Sequence, residues 1–137
     1  MRHTTEIKLV NLKDLNLAEA SVINTEEVRQ TIIKDALVDS GASRLSLPKS
    51  LIEQLGLDPV GKAKSRTANG IVERTVYSEV RYTVLGRTDS MLITDLPDDS
   101  PVLVGHMVME HLDLHLDTKR GLIYNPAHGD DWIEDQL

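Results

Sequence analysis

The stretch Ile32-Ile33-Lys34-Asp35-Ala36-Leu37-Val38-Asp39-Ser40-Gly41-Ala42-Ser43-Arg44-Leu45-Ser46-Leu47-Pro48 decides how the rest of the chain is read. Ile32, Ile33, Ala36, Leu37 and Val38 form a short, largely apolar run, the pattern of a buried strand. The run stops at an acid, a hydroxyl and a glycine. Asp and Ser side chains bond nearby backbone groups, and Gly supplies unusual φ/ψ, so Asp39-Ser40-Gly41 is turn chemistry. Many such triplets are plain surface turns. A carboxylate just past a buried strand, with apolar Ala42, Leu45 and Leu47 after it, is poorly solvated unless a partner or a chemical task holds it there.

Ala36-Leu37-Val38-Asp39-Ser40-Gly41-Ala42-Ser43 resembles the catalytic loop of the retroviral-type (retropepsin-like) aspartic proteases, an apolar pair followed by Asp-Ser/Thr-Gly-Ala. Pro101-Val102-Leu103-Val104-Gly105-His106, with Met107 to Leu112 after it, resembles the apolar-apolar-Gly segment and short helix near the end of that fold. The two segments stand in the same order with a hairpin between them, and the resemblance covers roughly residues 5–125. It implies a mainly β, single-domain acid-protease barrel with one or two short helices. It also implies an endopeptidase that needs no cofactor.

Composition agrees. A chain of 137 residues is one domain by size and can bury a core. The apolar residues are Leu, Val and Ile, with no Phe and one Trp, which favours strands. Lys and Arg total 15 against 22 acids, a formal charge of −7 that argues against nucleic acid as a partner. The absence of cysteine excludes disulfides and thiol chemistry and fits a cytoplasmic location. No signal peptide is visible behind Met1-Arg2-His3, and no apolar run approaches a membrane span, so a soluble protein without a membrane partner is expected.

In chain order, Thr5 to Leu12 reads as a first strand. Leu12, Leu15 and Leu17, within 11–24, fit either a strand pair or a loop. Residues 26–38 read as a strand entering the Asp39 turn, one arm of a long hairpin with the first. Leu45 to Pro48 is a short strand, and Lys49 to Gly56 a two-turn helix stopped by glycine. Asn69-Gly70 between strand-like runs signals a type I′ hairpin. Within the resemblance, Ala68, Asn69, Gly70 and Ile71 fall where the family carries its substrate-covering flap, although glycine is scarcer here than in retroviral flaps. Ser78 to Val84 and Ser90 to Leu96 are further strands around a turn at Gly86-Arg87. His106, His111 and His115 lie near Glu110, Asp113 and Asp117, but His-Glu-x-x-His is absent and no metal is expected. Leu112 to Asp117 alternates strictly and predicts a strand with the leucines on one face. Lys119-Arg120-Gly121 reads as a turn and Leu122 to Tyr124 as a last strand. Residues 126–137, with Trp132, read as a flexible acidic tail.

Hydrolysis by carboxylates needs two of them across a water, sharing one proton because like charges about 3 Å apart cannot both be ionised. The chain has one Asp-Ser-Gly: Asp89-Ser90 continues with Met, and Asp117-Thr118 with Lys. The resemblance therefore implies a homodimer in which Asp39 meets its own copy across a two-fold axis, acting on a peptide or protein substrate with apolar residues at the scissile bond. By the same resemblance, Ser40 braces the loops across the axis, Gly41 lets backbone approach the carboxylate, and Ala42 leaves room for substrate. Leu103, Val104 and Gly105 form the second matched segment, and Leu114, Leu116, Leu122 and Tyr124 are candidate dimer contacts. Ser43 and His106 stand where many relatives carry an Asp–Arg pair that secures the dimer. The competing reading is a catalytically silent dimer of the same fold that binds peptides without cleaving them.

Overall fold

A computed structural model of the chain describes residues 3–117, 119 and 122–124. In strand β1 (Thr4–Asn11), Thr5, Ile7 and Leu9 are buried while Lys8 faces water, the period of a sheet with one covered face. Asn11 ends the strand by accepting the Asp14 N–H and so capping helix α1 (Leu12–Glu19). This helix fills the segment for which strand and loop had both stood open. Strand β2 (Gln30–Val38) pairs antiparallel with β1, but α1 and a 3₁₀ turn at Thr25–Glu27 separate the arms, so no tight hairpin joins them. The expected strand over 26–38 starts only at Gln30. Its apolar run is also wetter than the sequence implied: Ile32 is 53% exposed, and burial is confined to Ala36 and Val38 near its end.

Strand β3 (Leu45–Pro48) leads into helix α2 (Lys49–Gln54), which stops before Gly56 at φ +65°. Strands β4 (Pro59–Thr67), β5 (Gly70–Val84), β6 (Arg87–Leu96) and β7 (Leu103–Val104) follow. Helix α3 (His106–His111) then precedes β8 (His115–Asp117) and β9 (Leu122–Tyr124), which among the described residues pair with each other in a separate sheet. In the main sheet the order is β1-β2-β7-β3-β6-β5-β4, and β5 also returns to β1. That last pairing closes six strands into a barrel and leaves β4 outside the ring. Closure removes sheet edges that would otherwise invite foreign strands. Ile7, Leu9, Tyr82, Ile93 and Val104 fill the interior, and Leu51, Leu55 and Val108 pack on it from the helices.

One strand serves two purposes. The C-terminal half of β5 closes the barrel, whereas its first half pairs with β4 as a projecting hairpin. Between them the β5–β6 register shifts from Tyr77↔Ile93 to Val80↔Met91, a bulge of the kind that bends a strand and re-aims what precedes it.

Three local expectations are corrected. At the hairpin tip Thr67 pairs with Gly70, the connecting residues are Ala68-Asn69, and only Gly70 has positive φ (+113°). A type I′ turn needs positive φ at both central residues, so it does not form there. The β5–β6 turn is Leu85-Gly86, both at positive φ, and Arg87 already belongs to β6. Finally, Leu112 caps α3 and Asp113 takes φ +54°, so the strand begins only at His115. Leu114 and Leu116, named above as dimer contacts, pack against the protein's own core. The side chains of Leu122 and Tyr124, the Arg120-Gly121 part of the expected turn and the acidic tail lie outside the described residues. His111 Nδ1 lies 3.1 Å from the hydroxyl of buried Tyr82. Among the described residues no helix is long and apolar enough to cross a membrane.

Helix α1 is fastened by charge to the segment that leads into β2. Asp14, 4% exposed, accepts hydrogen bonds from Arg29 N (3.0 Å), Nε (2.8 Å) and Nη2 (3.0 Å). The Arg29 guanidinium holds the Asp14 carboxyl below its ordinary value of 3.8. A depressed carboxyl pKa contributes stability above the unfolded value that is lost as pH falls through the folded one. Asp14→Asn is expected to cost roughly 1–3 kcal/mol in urea unfolding at pH 7, the scale of hydrogen bonds to charged groups. The difference from the parent protein should shrink as the pH is taken below about 3.8.

Candidate active site

Asp39 directly follows β2, and its backbone is held from both sides. Its N–H donates to the Val104 carbonyl (3.0 Å), and its carbonyl accepts the Ala42 N–H (3.1 Å). The Gly41 N–H donates to Oδ1 of the Asp39 side chain (2.9 Å), so the carboxylate folds back over its own loop. A Cβ at Gly41 would lie 3.3 Å from that oxygen, a tight contact that glycine avoids. Oδ2 accepts no hydrogen bond among the described residues, and Asp39 is half-buried, so one side of the carboxylate stays open.

Asp39 lines a cavity of about 780 Å³, within the size range of small-molecule sites. Its walls come from the loop (Asp39, Gly41 to Arg44), from residues 63–67 and Arg74 of the projecting hairpin, and from Ser46, Thr94, Leu96 and Leu103. The Ser46 and Thr94 hydroxyls, both buried, lie 2.7 Å apart. The structure thus brings Asp39, Gly41, Ala42 and Leu103 together. Val104 and Gly105 are buried and hold the loop from behind, and Ser40 is exposed outside the lining. The hairpin does reach the Asp39 loop, but through the arm at 63–67. Ala68, Asn69, Gly70 and Ile71 form its exposed tip and do not line the cavity.

Sequence reasoning passed over Arg44, Ser46, Arg74 and Thr94. Thr94-Asp95 carried a readable signal, two polar residues inside the apolar run Met91 to Leu96. Both are buried, and Asp95 Oδ1 accepts the Thr75 N–H at 3.1 Å, tying the hairpin's base to the barrel. Arg74 carried no such signal, because only the β4–β5 register sets it opposite Ala63.

The loop is braced by main chain where relatives of the resembled family use an ion pair. Gly105, His106 and Met107 donate their N–H groups to the carbonyls of Arg44 (3.1 Å), Ala42 (2.9 Å) and Ser43 (2.9 Å). His106 Nδ1 lies 3.4 Å from Glu110 on its own helix. Such close approach requires that residue 105 lack a side chain: a Cβ there would meet Arg44 O at 2.5 Å and Ser43 C and O at 2.6 and 2.7 Å. Gly105→Ala is expected to lower stability by roughly 1–3 kcal/mol, the usual cost of overpacking, because the atoms in the way are backbone. Thermal unfolding checks this, and the change should shift Asp39 enough to reduce any activity more than stability alone accounts for.

The solution structure of the simian foamy virus (mac) protease is similar over 80% of this chain and 93% of its own, at 18% identity and a TM-score of 0.47. No curated protein matches the chain. A family model described as aspartyl protease matches residues 25–108, which takes in the Asp39 loop, the projecting hairpin and the bracing segment. The chain therefore belongs to the aspartyl protease family.

Proposed function

We propose that the protein is an aspartic endopeptidase that works as a homodimer, its dyad made of Asp39 and the partner's Asp39. One observation carries this reading: among the described residues Asp39 is the sole carboxylate lining the cavity, and its Oδ2 is left without a hydrogen bond. Hydrolysis by carboxylates takes two, and a two-fold axis supplies the second from the same sequence position.

In the proposed mechanism the ionised Asp39 takes a proton from a water molecule as the water oxygen attacks the scissile carbonyl carbon. The protonated partner carboxyl gives its proton to the carbonyl oxygen. The partner carboxylate takes a proton back from one hydroxyl of the tetrahedral species as the C–N bond breaks, and the proton held by Asp39 passes to the leaving nitrogen, so that the pair again holds one proton. Gly41 N–H stabilises the charged form of the carboxylate it touches. The β4–β5 hairpin, which projects beyond the barrel and walls the cavity, acts as a lid that excludes water over a bound peptide. Ser40 braces the two loops across the axis. A cytoplasmic setting belongs to the same proposal.

Asp39→Asn is expected to reduce cleavage of a mixed peptide library by at least roughly 10²–10⁴-fold, the contribution of a positioned acid or base, while leaving folding and dimerisation intact. Retained cleavage by the purified variant would defeat the mechanism. A second outcome is expected on dilution: specific activity should fall as the concentration passes below the dimer dissociation constant measured by sedimentation. Constant specific activity there would exclude a dyad shared between protomers. A stable dimer that binds peptides and cleaves none would establish the silent binding module in place of the enzyme.

A further inference from the structure

The cavity beside Asp39 has a charge opposite to that of the protein. Arg44, Lys64, Arg66 and Arg74 all line it, whereas the chain as a whole has 15 Lys and Arg against 22 acids. Among the described residues these four cations share the lining with one carboxylate, Asp39. Among the described residues none of the four has a side-chain hydrogen bond or ion pair within the protein. By contrast Lys62, the neighbour on β4, contacts Glu73 (3.9 Å) and Thr75 (3.2 Å). The apolar wall is thin: Ala42, Ala63, Leu96 and Leu103.

We infer that this cavity selects acidic peptides, with Asp or Glu side chains flanking the scissile bond. The inference deepens the endopeptidase reading and rests on it. Charge on an outer strand has an ordinary explanation, because Lys and Arg on an edge such as β4 deter unwanted strand pairing. That accounts for exposed Lys64 and Arg66. It does not account for Arg44, which lies in the Asp39 loop and on no strand, and Arg74, paired to Ala63 of β4, also lines the cavity beside that loop. Both are half-buried. A guanidinium partly withdrawn from water and unpaired is poised for a carboxylate, which it can hold through two parallel N–H bonds. On a net-negative protein the same cluster also concentrates acidic chains near the one place where cleavage is possible.

The test uses three peptides with one apolar core and flanking Glu, Gln or Lys. Binding is read by fluorescence anisotropy on the Asp39→Asn protein, which removes turnover, and cleavage is read on the parent enzyme. The Glu peptide is expected to bind about tenfold or more tightly than its Gln isostere, as charge-assisted bonds allow, with the Lys peptide weakest. Rising salt should erode the preference. Arg44→Gln combined with Arg74→Gln should bring the Glu/Gln ratio close to one, and Arg74→Lys should keep part of it. Equal binding of Glu and Gln peptides overturns the inference, as does a preference that survives the double substitution. The two readings separate cleanly. Cleavage of all three peptides at similar kcat/KM leaves the protease and removes the acidic selectivity. Acid-selective binding without cleavage by the parent removes the protease and leaves the selectivity.

Discussion

The structure depends on a short run of main-chain hydrogen bonds between residues 102–107 and the segment 37–44. Leu37 and Asp39 donate to Val102 and Val104 on one side, and Gly105, His106 and Met107 donate to Arg44, Ala42 and Ser43 on the other. Strand β7 has only two residues, yet it lies between β2 and β3, parallel to one and antiparallel to the other. Barrel closure passes through it. The carboxylate of Asp39 is thus fixed by groups that do not titrate and do not depend on side-chain packing. Backbone donors and acceptors withdrawn from water must be paired, and here the pairing that satisfies them also builds the site. The absence of a Cβ at Gly105 is what allows the two segments to approach so closely.

A second constraint acts through β5. A single long strand cannot lie flat in a closed barrel and also carry a hairpin over one mouth unless it bends. The bulge after Tyr77 provides the bend, and Asp95, buried and bonded to Thr75 N–H, holds the base of the hairpin to the barrel. The cavity is the space between this hairpin and the Asp39 loop. Its walls combine a stiff side, braced by β7 and α3, with a projecting side anchored only at its root. Elements with few anchoring contacts open most readily.

Much was legible locally. The Asp39 turn, the matched segment at Leu103 to Gly105, helix α2 and the strands around it follow from patterns within about ten residues. The misreadings have physical causes. Helix α1 was hidden because its leucines at 12, 15 and 17 fit two periods, and only the cap at Asn11 with Asp14 in the first turn distinguished them. Asn69-Gly70 was read as a two-residue turn, yet the cross-strand register makes Thr67 and Gly70 a pair, so the tip moved by one residue. Leu112 to Leu116 imitated a strand because a helix cap followed by Asp113 in the left-handed region also turns alternate leucines inward.

The sequence by itself determined the Asp-Ser-Gly turn, its place at the end of a strand, the β-rich aliphatic core and the single copy of the motif. These are properties of neighbouring residues, whose backbone preferences and side-chain period act over short distances. The tertiary structure alone decided that Arg44 and Arg74, 30 positions apart, line one cavity with Asp39 in a protein that is acidic overall. It decided also that the hairpin meets the site with its arm and not its tip. Register, bulge and barrel closure set those distances, and each arises from pairings between segments that no local pattern specifies.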